Sequence, residues 1–166
     1  MKLLILRHAH ADPANPGQDD ANRPLSTKGN RRMPRIAQGL ARLVPAPDGI
    51  HTSPKQRARQ TAGHAARALG IEAVQAETRL AGDTAPVDQL EWLAGMEPEA
   101  TVVVVGHEPN LSALAATAIG AAPGSIRLKK AGACLIEFDP HVGPGRGRLL
   151  WLATPRQLEM IGTAGD

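Results

Sequence analysis

The sequence predicts an α/β fold, a three-layer sandwich with a mostly parallel central sheet and helices on both faces. Three observations carry that prediction. Two unbroken apolar runs, Leu3-Leu4-Ile5-Leu6 and Val102-Val103-Val104-Val105, have the character of strands buried on both faces. Segments with apolar residues at helical spacing lie between the strand-like runs, so strand and helix alternate along the chain. Polar residues gather where each apolar run stops, and in an open α/β sheet that carboxyl edge is where ligands bind.

Taken in order, Lys2 to Ala11 (KLLILRHAHA) supplies the first strand and places Arg7 and His8 at its end. Asp12 to Pro24 is rich in Pro, Asn, Asp and Gly and reads as a loop on that same side. Ser26 or Thr27 can cap a helix running to about Val44, with Met33, Ile36, Ala37, Leu40 and Leu43 as its core face. Pro34 lacks the N–H that the helix ladder needs, so it is expected to kink this helix or delay its start. Pro45-Ala46-Pro47 is expected to end it. Gly49 to Thr52 reads as a short second strand. Ser53-Pro54 then looks like a helix start, Ser as N-cap and Pro at the first helical position. That helix is expected to reach Leu69 and close at Gly70.

Ile71 to Ala76 is a weaker strand and Asp83 to Pro86 a loop. Val87, Leu90 and Leu93 mark a helix ending at Gly95. Thr101 to Val105 is the strongest strand, closed by Gly106-His107 and followed by a helix from Asn110 through Ala118. Ala133 to Asp139 and Arg148 to Ala153 pattern as two strands joined by a Pro/Gly-rich turn, an antiparallel hairpin. Pro155 to Ile161 forms a last short helix, with a tail expected to fray beyond it.

At 166 residues, without internal repeat or linker, the chain reads as one domain over 1–166, long enough to bury a sizeable core. Its 42% hydrophobic and 21% charged residues are those of an ordinary soluble protein. The single cysteine, Cys134, excludes an internal disulfide, allows a cytoplasmic location, and reads as core packing. The opening apolar run is too short for a signal segment or a membrane span, so no membrane partner is expected. A net charge of +3 would suit nucleic acid, but one Phe, two Trp and no Tyr leave no stacking platform for single strands. Arg31, Arg32, Arg35 and Arg42 fall on one helix and read as a solvated basic face. A basic surface also attracts a phosphorylated, acidic partner.

The chemistry lies at three strand ends. The first presents Arg7, a planar fork of donors for phosphate oxygens, and His8, which can attack phosphorus as a neutral nucleophile. The second presents Ser53, with Arg57 one helical turn further on the same face, whereas Arg59 points away. The third presents His107. If these strands are neighbours, two guanidiniums and a second imidazole surround His8, an electrostatic cradle for a phosphoryl group in transfer.

The pieces Leu6-Arg7-His8-Ala9, Arg23-Pro24-Leu25-Ser26 with Gly29, Ser53-Pro54 with Arg57, Gln60 and Thr61, and Val105-Gly106-His107-Glu108-Pro109-Asn110 appear in an order that covers nearly the whole chain. In these pieces the sequence resembles the histidine phosphatase superfamily, named for an Arg-His-Gly motif, and specifically its small SixA-like phosphohistidine phosphatase branch. The resemblance implies a phosphoglycerate mutase-like fold and a metal-independent phosphatase that needs no cofactor. It implies His8 as the transiently phosphorylated nucleophile, Arg7, Arg57 and His107 as the phosphate pocket, and Arg23 as a substrate-binding residue near the rim. Its implied partner is a phosphorylated protein, such as a His-containing phosphotransfer domain.

Two departures stand out. Ala9 replaces the motif glycine, which requires an ordinary backbone conformation or a slightly altered pocket. No general acid is evident; Glu77, Asp83 and Glu108 are the candidates. An alkoxide leaving group needs that proton more than a protonated imidazole does, so a weakly placed acid favours an N–P substrate. Three rival readings remain. One is a phosphatase of small phosphate esters or sugar phosphates, and another is a non-catalytic phosphate-binding module. The third is a metal site on the run His8-Ala9-His10-Ala11-Asp12, although His51, His64 and His141 lack clear ligand spacing.

Overall fold

The computed structural model describes residues 1–14, 16–44 and 46–164. Its strands are β1 (Lys2–Arg7), β2 (Gly49–Thr52), β3 (Val74–Ala76), β4 (Thr101–Gly106), β5 (Ala133–Phe138) and β6 (Gly147–Ala153). Its helices are α1 (Thr27–Leu43), α2 (Gln56–Leu69), α3 (Pro86–Ala94), α4 (Asn110–Ala118) and α5 (Pro155–Thr163), with one-turn 3₁₀ segments at Asp20–Asn22 and Thr78–Leu80. The strands form one six-stranded sheet in the order β3-β2-β4-β1-β5-β6. Pairing is parallel from β3 through β1, and β5 runs antiparallel to both β1 and β6, so the expected hairpin is present.

Both faces of the sheet are covered, because its central strands carry apolar side chains in both directions. Leu4 and Leu6 of β1 join Met33, Ile36, Leu40 and Ala62 in a core under α1 and α2. Leu3 and Ile5 point the other way, into a core with Leu90, Leu93, Leu111 and Leu114 of α3 and α4. This is the period-2 alternation of a strand with two helix layers to satisfy.

Local signals set most boundaries. Ser26 caps α1, its hydroxyl accepting the Gly29 N–H at 3.0 Å. Helix α1 runs through Pro34 from Thr27, so the expected delay of its start does not occur. Helix α5 begins with a capping box in which Thr154 and Gln157 satisfy each other's exposed backbone N–H groups. Helices α1 and α5 approach closely at glycines: a Cβ on Gly39 would strike the Leu158 carbonyl, and one on Gly162 the Arg35 carbonyl. The basic residues of α1 are more than a solvated face. Arg32 pairs with Glu159 of α5 at 2.6 Å, and Arg42 donates to the carbonyls of Ile161 and Ala164. Pro45, expected to help end α1, and residues 165–166, part of the tail expected to fray, lie outside the described residues.

One expected cap is corrected. Helix α2 starts at Gln56 with Lys55 at its N-cap position, not at Ser53-Pro54. The Ser53 hydroxyl accepts the Lys55 N–H at 3.3 Å, ahead of the helix, and also meets a histidine that follows the neighbouring strand. The other end agrees with expectation: Gly70 closes α2 at φ 71°, a left-handed conformation that glycine adopts without a Cβ penalty.

Candidate active site

The register of three neighbouring strands brings the expected residues together. Arg7 lies opposite Gly106, and Thr52 opposite Val105, so β1, β4 and β2 end side by side. The residues that follow are His8, His107 and Ser53. Backbone bonds continue the ladder past the strand ends, from His8 N–H to the Gly106 carbonyl at 3.1 Å and from Ser53 N–H to the Val105 carbonyl at 2.8 Å. The imidazoles of His8 and His107 meet at a centroid distance of 5.0 Å, tilted by 53°.

His8 is buried, and its Nδ1 lies 2.7 Å from the Ala9 carbonyl. A carbonyl can only accept, so Nδ1 carries the proton and Nε2 holds the lone pair. Burial pulls the ring's pKa down to about 4. The charges of Arg57, Arg7 and Lys130 act the same way, against the bond to Ala9, which raises it. His8 is therefore neutral at pH 7, in one tautomer, with its Nε2 lone pair unprotonated. His107 is held lower, at about 3, by burial and then by His8, Arg57 and Lys55, with Asp20 opposing. Its Nε2 sits 2.8 Å from the Ser53 hydroxyl.

The departure at Ala9 has a plain resolution. Ala9 is not among the described non-glycine residues with positive φ, so alanine fits without strain. Its N–H donates to the Thr61 hydroxyl at 3.0 Å, and that hydroxyl donates onward to the Arg57 carbonyl at 2.7 Å. A single side chain on α2 thus ties the backbone beside His8 to the residue that carries the guanidinium. On the other side, Ala131 adopts a left-handed φ of 61°, and its N–H reaches the carbonyls of both Arg7 and His8 at 3.1 Å. A non-glycine residue held there is a strained one, retained at the site itself.

Cations surround the two imidazoles. Arg7 is fixed by its Nη1 donating to the Leu128 carbonyl at 2.7 Å. Arg57 reaches Asp20 through both terminal nitrogens, Nη1 to the backbone carbonyl at 2.7 Å and Nη2 to Oδ2 at 2.9 Å. Arg23, expected near the rim, pairs with the other Asp20 oxygen at 3.1 Å, and Lys55 with Oδ2 at 3.3 Å. The Lys130 ammonium is lowered by burial and by the charges of Arg7, Arg23 and Arg57, which places it in the same field. The Nε atoms of Arg7, Arg23 and Arg57 and Nδ1 of His107 are buried and make no hydrogen bond within the described residues. Such spare hydrogen-bonding capacity is uncommon inside a protein, and here these four atoms belong to residues around the two imidazoles. An oxyanion with several acceptor oxygens fits it.

The candidate acids are dispersed. Glu77 caps the Thr78–Leu80 turn and is taken up by Arg79, accepting from its N–H at 2.9 Å and its Nη1 at 3.1 Å. Asp83 is exposed in the loop before α3. Glu108 follows His107, with one carboxylate oxygen buried and unpartnered, and its charge acts on Arg7. Of the three, only Glu108 stands beside the cradle. His10 contacts the Ser26 hydroxyl at 2.7 Å and Asp12 is exposed, and the described residues hold no group of three or more His, Cys, Asp or Glu suited to a metal ion. Asp20, Lys55, Lys130 and the link from Ser53 to His107 were not foreseen. Lys130 sits in a Lys129-Lys130 pair whose place at the site depends on the loop before β5. Asp20 lay in a stretch legible only as loop.

No described helix is long and apolar enough to cross a membrane. The family model described as histidine phosphatase superfamily (branch 1) matches residues 3–81. An uncharacterized protein of Picosynechococcus sp. is 40% identical over 135 residues, which is 80% of this chain and 82% of that one. Among solved structures, the protein histidine phosphatase SixA complexed with tungstate superposes with a TM-score of 0.84 at 23% identity, over 95% of this chain and 99% of that one. A protein of Agrobacterium tumefaciens assigned as the phosphohistidine phosphatase SixA gives 0.74 at 27% identity, over 93% and 97%. Mycobacterial glucosyl-3-phosphoglycerate phosphatase gives 0.71 at 21% identity, over 92% and 98%.

Proposed function

The chain belongs to the histidine phosphatase superfamily, and from that premise we propose that it is a metal-independent phosphatase, working through phosphorylated His8 and acting on protein phosphohistidine. The observation that carries this reading is the state of His8. Its Nδ1–H is engaged by the Ala9 carbonyl and burial keeps the ring neutral, which leaves Nε2 as an unprotonated nucleophile among Arg7, Arg57 and His107.

In the first step Nε2 of His8 attacks phosphorus in line. An N–P bond forms to His8 as the bond to the leaving group breaks, and the leaving group departs with its electron pair and gains a proton. In the second step water attacks the phosphohistidine, releasing orthophosphate and restoring neutral His8. Arg7 and Arg57 neutralise charge on the equatorial oxygens, and His107, oriented by Ser53, adds a further polar contact. Arg23 extends the positive field toward the rim.

Protein phosphohistidine is favoured as substrate for two reasons. Glu77 is taken up by Arg79 and Asp83 is exposed, which leaves Glu108 alone beside the cradle, and an imidazole leaving group depends on a well-placed acid less than an alkoxide does. The surroundings also suit a macromolecular donor. A groove of about 750 Å³ lined by residues including Thr52, Pro54, Gln56 and Arg59 adjoins the site, sharing Ala21 and Asn22 of the Asp20–Asn22 turn. The likeness to the Agrobacterium tumefaciens protein assigned as SixA, at 27% identity, points the same way, whereas the SixA–tungstate structure at 23% and the sugar-phosphate enzyme at 21% share the fold alone. A cytoplasmic location belongs to the same proposal.

The test is phosphate release from a phosphohistidine protein and from a panel of small phosphate esters, using wild type and His8→Ala with chelator present. Preference for the phosphohistidine protein, lost in His8→Ala and insensitive to chelator, is the expected result. Preference for a small ester would overturn the substrate assignment, and inactivation by chelator would overturn the mechanism.

A further inference from the structure

Arg57, one of the guanidiniums of the cradle, is engaged by an anion of the protein itself. Its Nη1 and Nη2 both donate to Asp20, one to the backbone carbonyl and one to the carboxylate. A planar fork meeting two acceptors is the arrangement in which arginine binds phosphate. Arg23 at 3.1 Å and Lys55 at 3.3 Å complete a ring of cations around the same carboxylate. Resting on the phosphatase reading above, we propose that Asp20 is a specificity-determining residue, an internal anion that a phosphoryl group must displace to gain Arg57.

The two members of the pair are held very differently. The Arg57 side chain is 5% exposed and rooted in the first turn of α2, whereas the Asp20 side chain is 50% exposed. Asp20 opens a one-turn 3₁₀ segment, capped by Asp19, within the loop between β1 and α1. The cation is therefore the fixed member and the anion the movable one, with solvent available to receive it. A carboxylate entering water loses little, while a buried guanidinium left without an anion is costly, so a replacement anion must arrive as Asp20 departs. The Asp20 carboxyl is held down at about 2, first by its bond to Arg57, so it is an anion at neutral pH and has no proton to donate.

This arrangement lowers the apparent affinity for every phosphate ligand by the fraction of molecules in which Arg57 is already free. A small free phosphate must displace Asp20 unaided. A phosphoryl group carried on a protein brings other contacts, and the groove adjoining the site is walled by Ala21 and Asn22 of the very turn that holds Asp20. A protein that contacts Ala21 and Asn22 can favour the state in which Asp20 has left Arg57, a help that inorganic phosphate and small esters lack, and in this way Asp20 raises the selectivity for protein-borne phosphate.

The experiment measures inorganic phosphate binding by calorimetry, and kcat and KM for a small ester and a phosphohistidine protein, in wild type, Asp20→Asn and Asp20→Ala. Circular dichroism first establishes that each variant is folded. Both variants are expected to bind inorganic phosphate about tenfold more tightly than wild type. Their KM for the small ester should fall more than their KM for the protein, narrowing the preference between the two. Equal or weaker phosphate binding in the variants would overturn the inference and make Asp20 a residue that positions Arg57. A fall in kcat with KM unchanged would also overturn it, in favour of a proton donor. Absence of phosphate binding in wild type and variants alike would overturn the phosphatase reading itself, and this inference with it.

Discussion

Replacing Thr61 by valine tests how the helix carrying Arg57 and the strand end carrying His8 are joined. Thr61 is fully buried, and its hydroxyl accepts the Ala9 N–H at 3.0 Å while donating to the Arg57 carbonyl at 2.7 Å. Valine keeps the volume, so no cavity opens and the whole effect is polar. The Arg57 carbonyl retains its helical bond from the backbone N–H of residue 61. The Ala9 N–H, on a residue 2% exposed, loses its acceptor. Leaving one buried donor unpaired costs about 1–3 kcal/mol. At roughly 2–4 °C per kcal/mol for a domain of this size, a central value near 2 kcal/mol lowers Tm by about 4–8 °C.

Function should suffer as well, because the Ala9 carbonyl receives the His8 Nδ1 proton and belongs to the same short stretch of backbone. A loosened Ala9 blurs the aim of His8, and kcat/KM is expected to fall about tenfold. Thr61→Ser, which keeps the hydroxyl, should preserve most of both properties. Thermal unfolding and steady-state kinetics on the three proteins read this out. A valine variant with Tm within about 1 °C of wild type and kcat/KM within about twofold would mean that Thr61 does not hold Ala9 and Arg57 together.

The pH dependence follows from the two histidines. His8 must be neutral to attack, and with its pKa at about 4 the free-enzyme limb of kcat/KM should stay flat on acidification until pH approaches that value. A limb centred near 6.5 would mean an ordinary solvated histidine. Stability behaves differently. The folded pKa values of about 4 and 3 lie below the ordinary 6.5, so the unfolded chain binds more protons between them, and stability should decline as pH is lowered through that window. Urea unfolding at pH 7.5 and 5 checks the sign. Ser53→Ala removes the partner of His107 Nε2 and should cost about 1 kcal/mol and several-fold in kcat/KM; unaltered kinetics would mean that Ser53 does not orient His107. Gly39→Ala and Gly162→Ala, which would normally favour a helix, should each destabilise by about 1–3 kcal/mol by wedging α1 from α5, and a gain in Tm would contradict that contact.

The sheet edge was legible because it depends on local patterns that a chain carries openly. Apolar runs marked β1 and β4, Gly49–Thr52 marked β2, and Arg7, His8 and His107 sat at the ends of such runs. Their meeting required only that β2, β4 and β1 be neighbours, which the topology provides. What stayed hidden depends on long-range contacts. Ser53 has every local mark of an N-cap, yet its hydroxyl binds His107 across the sheet edge, 54 residues away in sequence. Asp20 in a Pro/Asn-rich loop carries no periodicity, and nothing local says that Arg57 will reach it. Arg32 and Arg42 look like surface charge until α5 packs across α1. Ala9 was the reverse case: a departure from the motif that raised a question, and an ordinary φ that answered it.

The mechanism turns on the transfer of the phosphoryl group to His8. The direct measurement is a rapid acid-free quench of wild type during turnover of a phosphohistidine protein bearing a labelled phosphoryl group, followed by peptide mapping. A base-stable, acid-labile label on His8, transient in wild type and missing from His8→Ala, is expected. A label on His10, a label persisting in His8→Ala, or turnover with no phosphoryl-enzyme at any time would contradict that mechanism.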